Sequence, residues 1–142
     1  MRPSKSPVFA LLCLALVACP DETKSSDDSG YAVTCTTEER TSVVLELLGD
    51  AGQNLVSELG SDGVSGTLTT EDGAEQPCEA IVDSLMCGWE AAGHLVVVAT
   101  VDGYVPEQLE VDVAADECHV ITEQLSVQMT RLEDADRAAA GP

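Results

Sequence analysis

Along the second half of the chain, apolar and polar positions alternate with the two-residue period of an extended backbone. Residues 107–113 read EQLEVDV, with Leu109, Val111 and Val113 set against Gln108, Glu110 and Asp112. Side chains two apart share a face of a strand, so this pattern predicts one buried face and one wet face. Just upstream, residues 94–101 read HLVVVATV, with Asp102 and Gly103 turning between the two runs. Apolar character on both faces predicts a central strand. Pro106 falls at the start of the following strand, where a missing N–H is tolerated.

The first half is less regular. In Thr41–Leu48, TSVVLELL, the residues Val43, Leu45 and Leu47 fall on one face of a strand. A helix is the rival, since Thr36 and Glu39 have capping-box spacing and Val44, Leu47 and Leu48 have helical spacing. The strand is favoured because Gly49, Asp50, Ala51 and Gly52 stop the run early. Residues 54–63 are ambiguous, whereas Val64–Thr70, closed by Glu71, Asp72 and Gly73, reads as a strand. Residues 78–87 predict a cross-linked hairpin that bends at Asp83 and Ser84 and buries Ile81, Val82, Leu85 and Met86, with a short helix as the alternative. A last strand is expected over residues 118–130, where Leu125, Val127 and Met129 share a face. There the adjacent Val120 and Ile121 break the alternation, as a β-bulge would. Short strands with regular turn signals and no long helix predict an all-β fold, a single antiparallel β-sandwich of about seven strands.

Composition adds where this domain lives. Arg2 and Lys5 precede about ten apolar residues starting near Val8, and small Ala18 precedes Cys19. This is the layout of a secretory signal, too short for a membrane span, which needs about 20 apolar residues. The run Leu16, Val17, Ala18, Cys19 resembles a bacterial lipobox. The resemblance implies cleavage before Cys19, a diacylglyceryl group on its sulfur and an acyl chain on the new amino terminus. Two or three chains give lasting membrane attachment where one gives only marginal binding. Pro20 stands where many lipoproteins retained in the inner membrane carry aspartate. The expected location is therefore the cell envelope, at the outer membrane of a two-membrane cell.

The domains expected are a signal peptide over 1–18, the lipidated Cys19 with an acidic tether over 19–32, a β-sandwich over 33–130 and a disordered or short helical tail over 131–142. Six Lys and Arg stand against 26 Asp and Glu, a net charge of -20. Nucleic acid is thereby excluded as a partner, because phosphate binding needs a basic surface. Cys13 leaves with the signal, and the remaining Cys35, Cys78, Cys87 and Cys118 form an even set in an exported protein. Two disulfides are expected in preference to zinc, whose structural sites use closer pairs. The short spacing of Cys78 and Cys87, with Cys35 and Cys118 flanking the first and last strands, favours pairing in that sense.

Catalytic chemistry is thinly represented. Ser65, in Gly63, Val64, Ser65, Gly66, lacks the spacing of a nucleophile elbow, and His94 and His119 read as strand-end residues. The acidic turns at Glu71, Asp72, Asp102, Asp116 and Glu117 match no Ca²⁺ loop. Trp89, beside Cys87, is expected to pack on a disulfide in the core. The run DAGQNL over 50–55, then VSGTLTTEDG, then GHLVVVATVDGYVPEQLEVDV, resembles a carboxypeptidase regulatory-like domain over residues 43–129. That family implies a transthyretin-like, immunoglobulin-like sandwich without catalysis. The expectation is a non-enzymatic surface lipoprotein, without cofactor, whose sandwich binds another envelope protein or serves a structural role. The alternative is a small-ligand or Ca²⁺-binding module.

Overall fold

The computed structural model describes residues 33–141. The expected signal peptide over 1–18, the lipidation site Cys19 and the tether over 19–32 lie outside the described residues. Seven strands form: β1 (Thr41–Leu48), β2 (Val64–Thr70), β3 (Glu75–Ile81), β4 (Ser84–Trp89), β5 (Gly93–Val101), β6 (Glu107–Val113) and β7 (Glu123–Gln128). Two short helices join them, α1 (Leu55–Gly63) between β1 and β2, and α2 (Leu132–Ala139) after β7.

The strands follow the order β6-β5-β2-β3-β4-β1-β7. All neighbours are antiparallel except β1 and β7, which run parallel with Val43 opposite Glu123 and Leu48 opposite Gln128. The sheet is therefore mixed rather than wholly antiparallel. Parallel neighbours must be entered from the same end, and Cys35 before β1 is bonded to Cys118 before β7. Edge strands β6 and β7 approach closure into a barrel. Val105 N donates to Thr130 O (2.8 Å) beyond one end of their seam, and Ile121 N donates to Ala114 O (2.8 Å) beyond the other.

Alternation fills the interior. Val43, Leu45 and Leu47 of β1 are fully buried, as are Leu85 and Cys87 of β4 and Leu95, Val97 and Ala99 of β5. Each such Leu or Val contributes about 1.5–3 kcal/mol relative to exposure. β5 lies between β2 and β6, one place in from the edge rather than at the centre; Leu95, Val97, Ala99 and Val101 bury one face, and Val96 and Val98 on the other are half-buried. The ambiguous stretch becomes α1 because Asn54 caps it, its Oδ1 accepting from Ser57 N (2.9 Å), while Leu55 and Val56 enter the core.

Two expectations at the chain's apolar runs are corrected. The β3–β4 hairpin turns at Val82 and Asp83, with Ile81 opposite Ser84, so Val82 stands at the tip and is 85 % exposed while Ile81 is 38 % exposed. A two-residue turn leaves its central side chains no core to enter. No bulged strand runs from Cys118. Instead Ala115 bridges Val120 across a tight loop that buries Val120 and exposes Ile121, and β7 begins only at Glu123. The tail forms the short helix α2, with no buried residue.

Gly66 in β2 shows how closely the interior is packed. A Cβ there would lie 3.0 Å from Cys78 Sγ, from Leu85 Cδ2 and from the Val98 carbonyl oxygen. Backbone and a disulfide cannot move aside as a flexible side chain does. Gly66→Ala is therefore expected to lower stability by about 1–3 kcal/mol, the usual range for overpacking, seen as a lower urea midpoint with an unchanged slope.

Candidate functional site

The densest polar chemistry of the described residues lies where the chain enters β1 and β7. Residues 33–40 form neither strand nor helix and are exposed throughout. The loop after β6 folds onto them because Asp116 organises it. Its Oδ1 accepts from the backbone N of Cys118 (2.8 Å) and of His119 (2.8 Å), and its own N donates to His119 O (2.9 Å). These backbone donors, His119 first, hold the Asp116 carboxyl below its ordinary pKa. The loop thereby presents Cys118 and His119 to residues 35 and 36.

Three side chains then line up. Thr36 Oγ1 lies 2.9 Å from His119 Nε2, and His119 Nδ1 lies 2.8 Å from Glu90 Oε1. Glu90 follows β4 in a left-handed conformation, φ 52°, unusual for a residue with a Cβ. That turn is locked from both sides: Glu90 N donates to Arg40 O (2.9 Å), and Arg40 N donates to Glu90 Oε1 (2.7 Å). Glu90 Oε2 accepts from Val120 N (3.1 Å). The Arg40 N–H is the main cause that keeps the Glu90 carboxyl below its ordinary pKa, with His119 and Val120 adding to it against the cost of desolvation.

An ionised carboxylate only accepts hydrogen bonds, so His119 Nδ1 carries the proton. In the neutral ring Nε2 is then the acceptor, and the Thr36 hydroxyl donates to it. The His119 side chain is 10 % exposed and that of Glu90 32 %, whereas Thr36 faces water. Thr36, Arg40, Asp116 and His119, with Val33, line an open cleft of about 520 Å³. His119 is thus no isolated strand-end residue.

The four cysteines form two bonds. Cys35 joins Cys118 with Cα atoms 5.2 Å apart, and Cys78 joins Cys87 at 4.3 Å as directly opposed residues of β3 and β4. Trp89 does not pack into the core beside Cys87; it ends β4 and is 38 % exposed. Ser65 lies in β2 opposite Thr100 of β5, and no sharp turn presents it. Among the described residues, no three His, Cys, Asp or Glu side chains converge to hold a metal ion. A second cleft of about 420 Å³ lies by Leu55, Asp102 and Tyr104, where Arg131 sits 5.7 Å from the Tyr104 ring centroid and pairs with Asp50 at 3.0 Å.

His94, near the start of β5, belongs to another network. Its Nδ1 lies 2.9 Å from Asp112 Oδ1, with Glu110 3.9 Å from Nε2. The hydrogen bond to Asp112 is the first cause that raises its pKa, assisted by the charges of Asp112, Glu110 and Glu71. A raised folded value means that the stabilisation is complete below the ordinary imidazole pKa and is lost as pH climbs through the folded one. His94 is accordingly expected to titrate above the ordinary imidazole value by NMR, and to move back toward it in Asp112→Asn.

The sequence matches no family model and no curated protein. The site therefore rests on its own geometry. On the loop-entropy account, the bond between Cys35 and Cys118 contributes about 4.6 kcal/mol and that between Cys78 and Cys87 about 2.7 kcal/mol. Replacing both cysteines of the first pair by Ser should lower the melting temperature more than replacing both of the second, and peptide mapping without reduction should recover a fragment joining 35 to 118.

Proposed function

We propose that the protein is a lipid-anchored lipoprotein of the cell envelope. In this reading its β domain, of the transthyretin-like or immunoglobulin-like sandwich type, serves as a docking or structural module for another envelope protein. The observation that carries the reading is the run Leu16, Val17, Ala18, Cys19 behind a short apolar segment. Two disulfides in the described domain accord with export to an oxidising compartment, and a charge of -20 suits a protein that must stay soluble beside a membrane. Each end of the β1–β7 pair is held firmly: the start by the bond of Cys35 to Cys118, the far end by Gln128 Nε2, which donates to Gly49 O (2.6 Å). A domain so braced resists a pull transmitted from its amino-terminal side.

In Cys19→Ser the acylated sulfur is absent, and the protein is expected to leave the membrane fraction and the detergent phase for the aqueous phase. Partition of that variant with the wild type into detergent would overturn the anchor. Crosslinking on intact cells, followed by identification of attached proteins, tests the docking role.

A further inference from the structure

We infer that Thr36 is an activated nucleophile, with His119 as its general base and Glu90 as the residue that positions the base, in a cleft suited to a small carboxylic ester. The inference goes beyond a docking role and does not rest on the anchor. Its core is the ordered chain from the Thr36 hydroxyl to His119 Nε2 (2.9 Å) and from His119 Nδ1 to Glu90 (2.8 Å). That is the sequence of groups by which a hydroxyl is deprotonated as it attacks, and it is recognised by geometry rather than by position in the chain.

Preorganisation supports the assignment. The Glu90 carboxylate is fixed by the backbone N–H groups of Arg40 and Val120, so it is aimed before any substrate arrives. Strain is stored at the same residue, whose left-handed φ of 52° the surroundings enforce. The disulfide flanks both reacting partners, Cys35 preceding Thr36 and Cys118 preceding His119, and so holds hydroxyl and imidazole in register. Because that covalent bond already clamps the two segments, the hydrogen-bonded relay is not needed to hold them. Exposure is graded in the useful direction: the imidazole is largely covered and the carboxylate about one-third exposed, while the hydroxyl opens on the cleft, whose charged lining is Arg40 with Asp116 and Glu117.

The chemistry balances without a cofactor. Attack of Oγ1 on the ester carbonyl forms the Thr36 O–C bond while the hydroxyl proton passes to His119 Nε2. Cleavage of the ester C–O bond returns that proton to the departing alcohol. A water that gives its proton to Nε2 then attacks the acyl carbon, the Thr36 Oγ1–C bond breaks, and Nε2 returns the proton to Oγ1, which frees the carboxylic acid and restores the hydroxyl.

The test uses the full chain in detergent and diisopropyl fluorophosphate, from which attack by Oγ1 expels fluoride and leaves a phosphoryl adduct. Mass spectrometry of peptides is expected to place one adduct on Thr36. The adduct should be absent in Thr36→Val, retained on residue 36 in Thr36→Ser, and slowed about a hundredfold or more in His119→Gln, the scale of general-base assistance. Thr36 is exposed, so its variants should melt with the wild type and remain decisive should His119→Gln fail to fold. The inference is overturned if the wild type is not labelled at residue 36, whatever Thr36→Ser does. Equal labelling rates in folded His119→Gln and wild type would overturn it as well, since an unassisted surface hydroxyl would behave that way.

Discussion

β1 and β7 lie side by side and parallel, although Val43 and its partner Glu123 are eighty positions apart in the chain. The loop this pairing closes contains every other strand, so β2 to β6 fold within a boundary set by the first and last strands. Closing so long a loop is an entropic cost that grows slowly with length and is repaid by the contacts of β1 with β7. The bond between Cys35 and Cys118 spans 83 residues and closes nearly the same loop covalently. Thr122 Oγ1, donating to Thr41 O (2.7 Å), then sets the shared starting line of the two strands.

Inside that boundary, the second disulfide decides how close β2 can come. Cys78 and Cys87 face each other across β3 and β4, and Gly66 lets the neighbouring backbone pass within reach of Cys78 Sγ. Gly88, at φ 72°, brings the same strand over Leu68 Cδ1, which lies 2.8 Å from where a Cβ would stand. Gly66 therefore accommodates the cross-link and Gly88 the Leu68 side chain, and a core with few aromatics is filled by Leu and Val instead.

Charge acts chiefly at the boundaries of the sheet. Glu110 and Asp112 on the outer face of edge strand β6, and Glu123 at the start of edge strand β7, place acids along the strands that have a free side. Unpaired edges invite pairing with other chains, and like charges oppose it. His94 draws Asp112 and Glu110 together and is the one imidazole on that face. His119 lies in the other network, between Thr36 and Glu90, where the bond of Cys35 to Cys118 already clamps the segments together.

Local periodicity determined much of this protein. The bounds of β1, β2 and β6 are those of the alternating runs, and Val43, Leu45 and Leu47 are buried as their spacing requires, because the pleat of a strand depends only on adjacent residues. The even set formed by Cys35, Cys78, Cys87 and Cys118 likewise signalled two disulfides. What periodicity could not reach was anything settled between distant segments. The parallel sense of β7, the exposure of Val82 and Trp89, the helix capped by Asn54 and the loop ordered by Asp116 each depend on partners that no local pattern names. Thr36 and His119 are 83 positions apart and Glu90 a further 29 from His119, each unremarkable among its neighbours. Only the tertiary structure brings them within hydrogen-bond distance, because a hydrogen bond is a matter of position in space and the order of residues does not specify it.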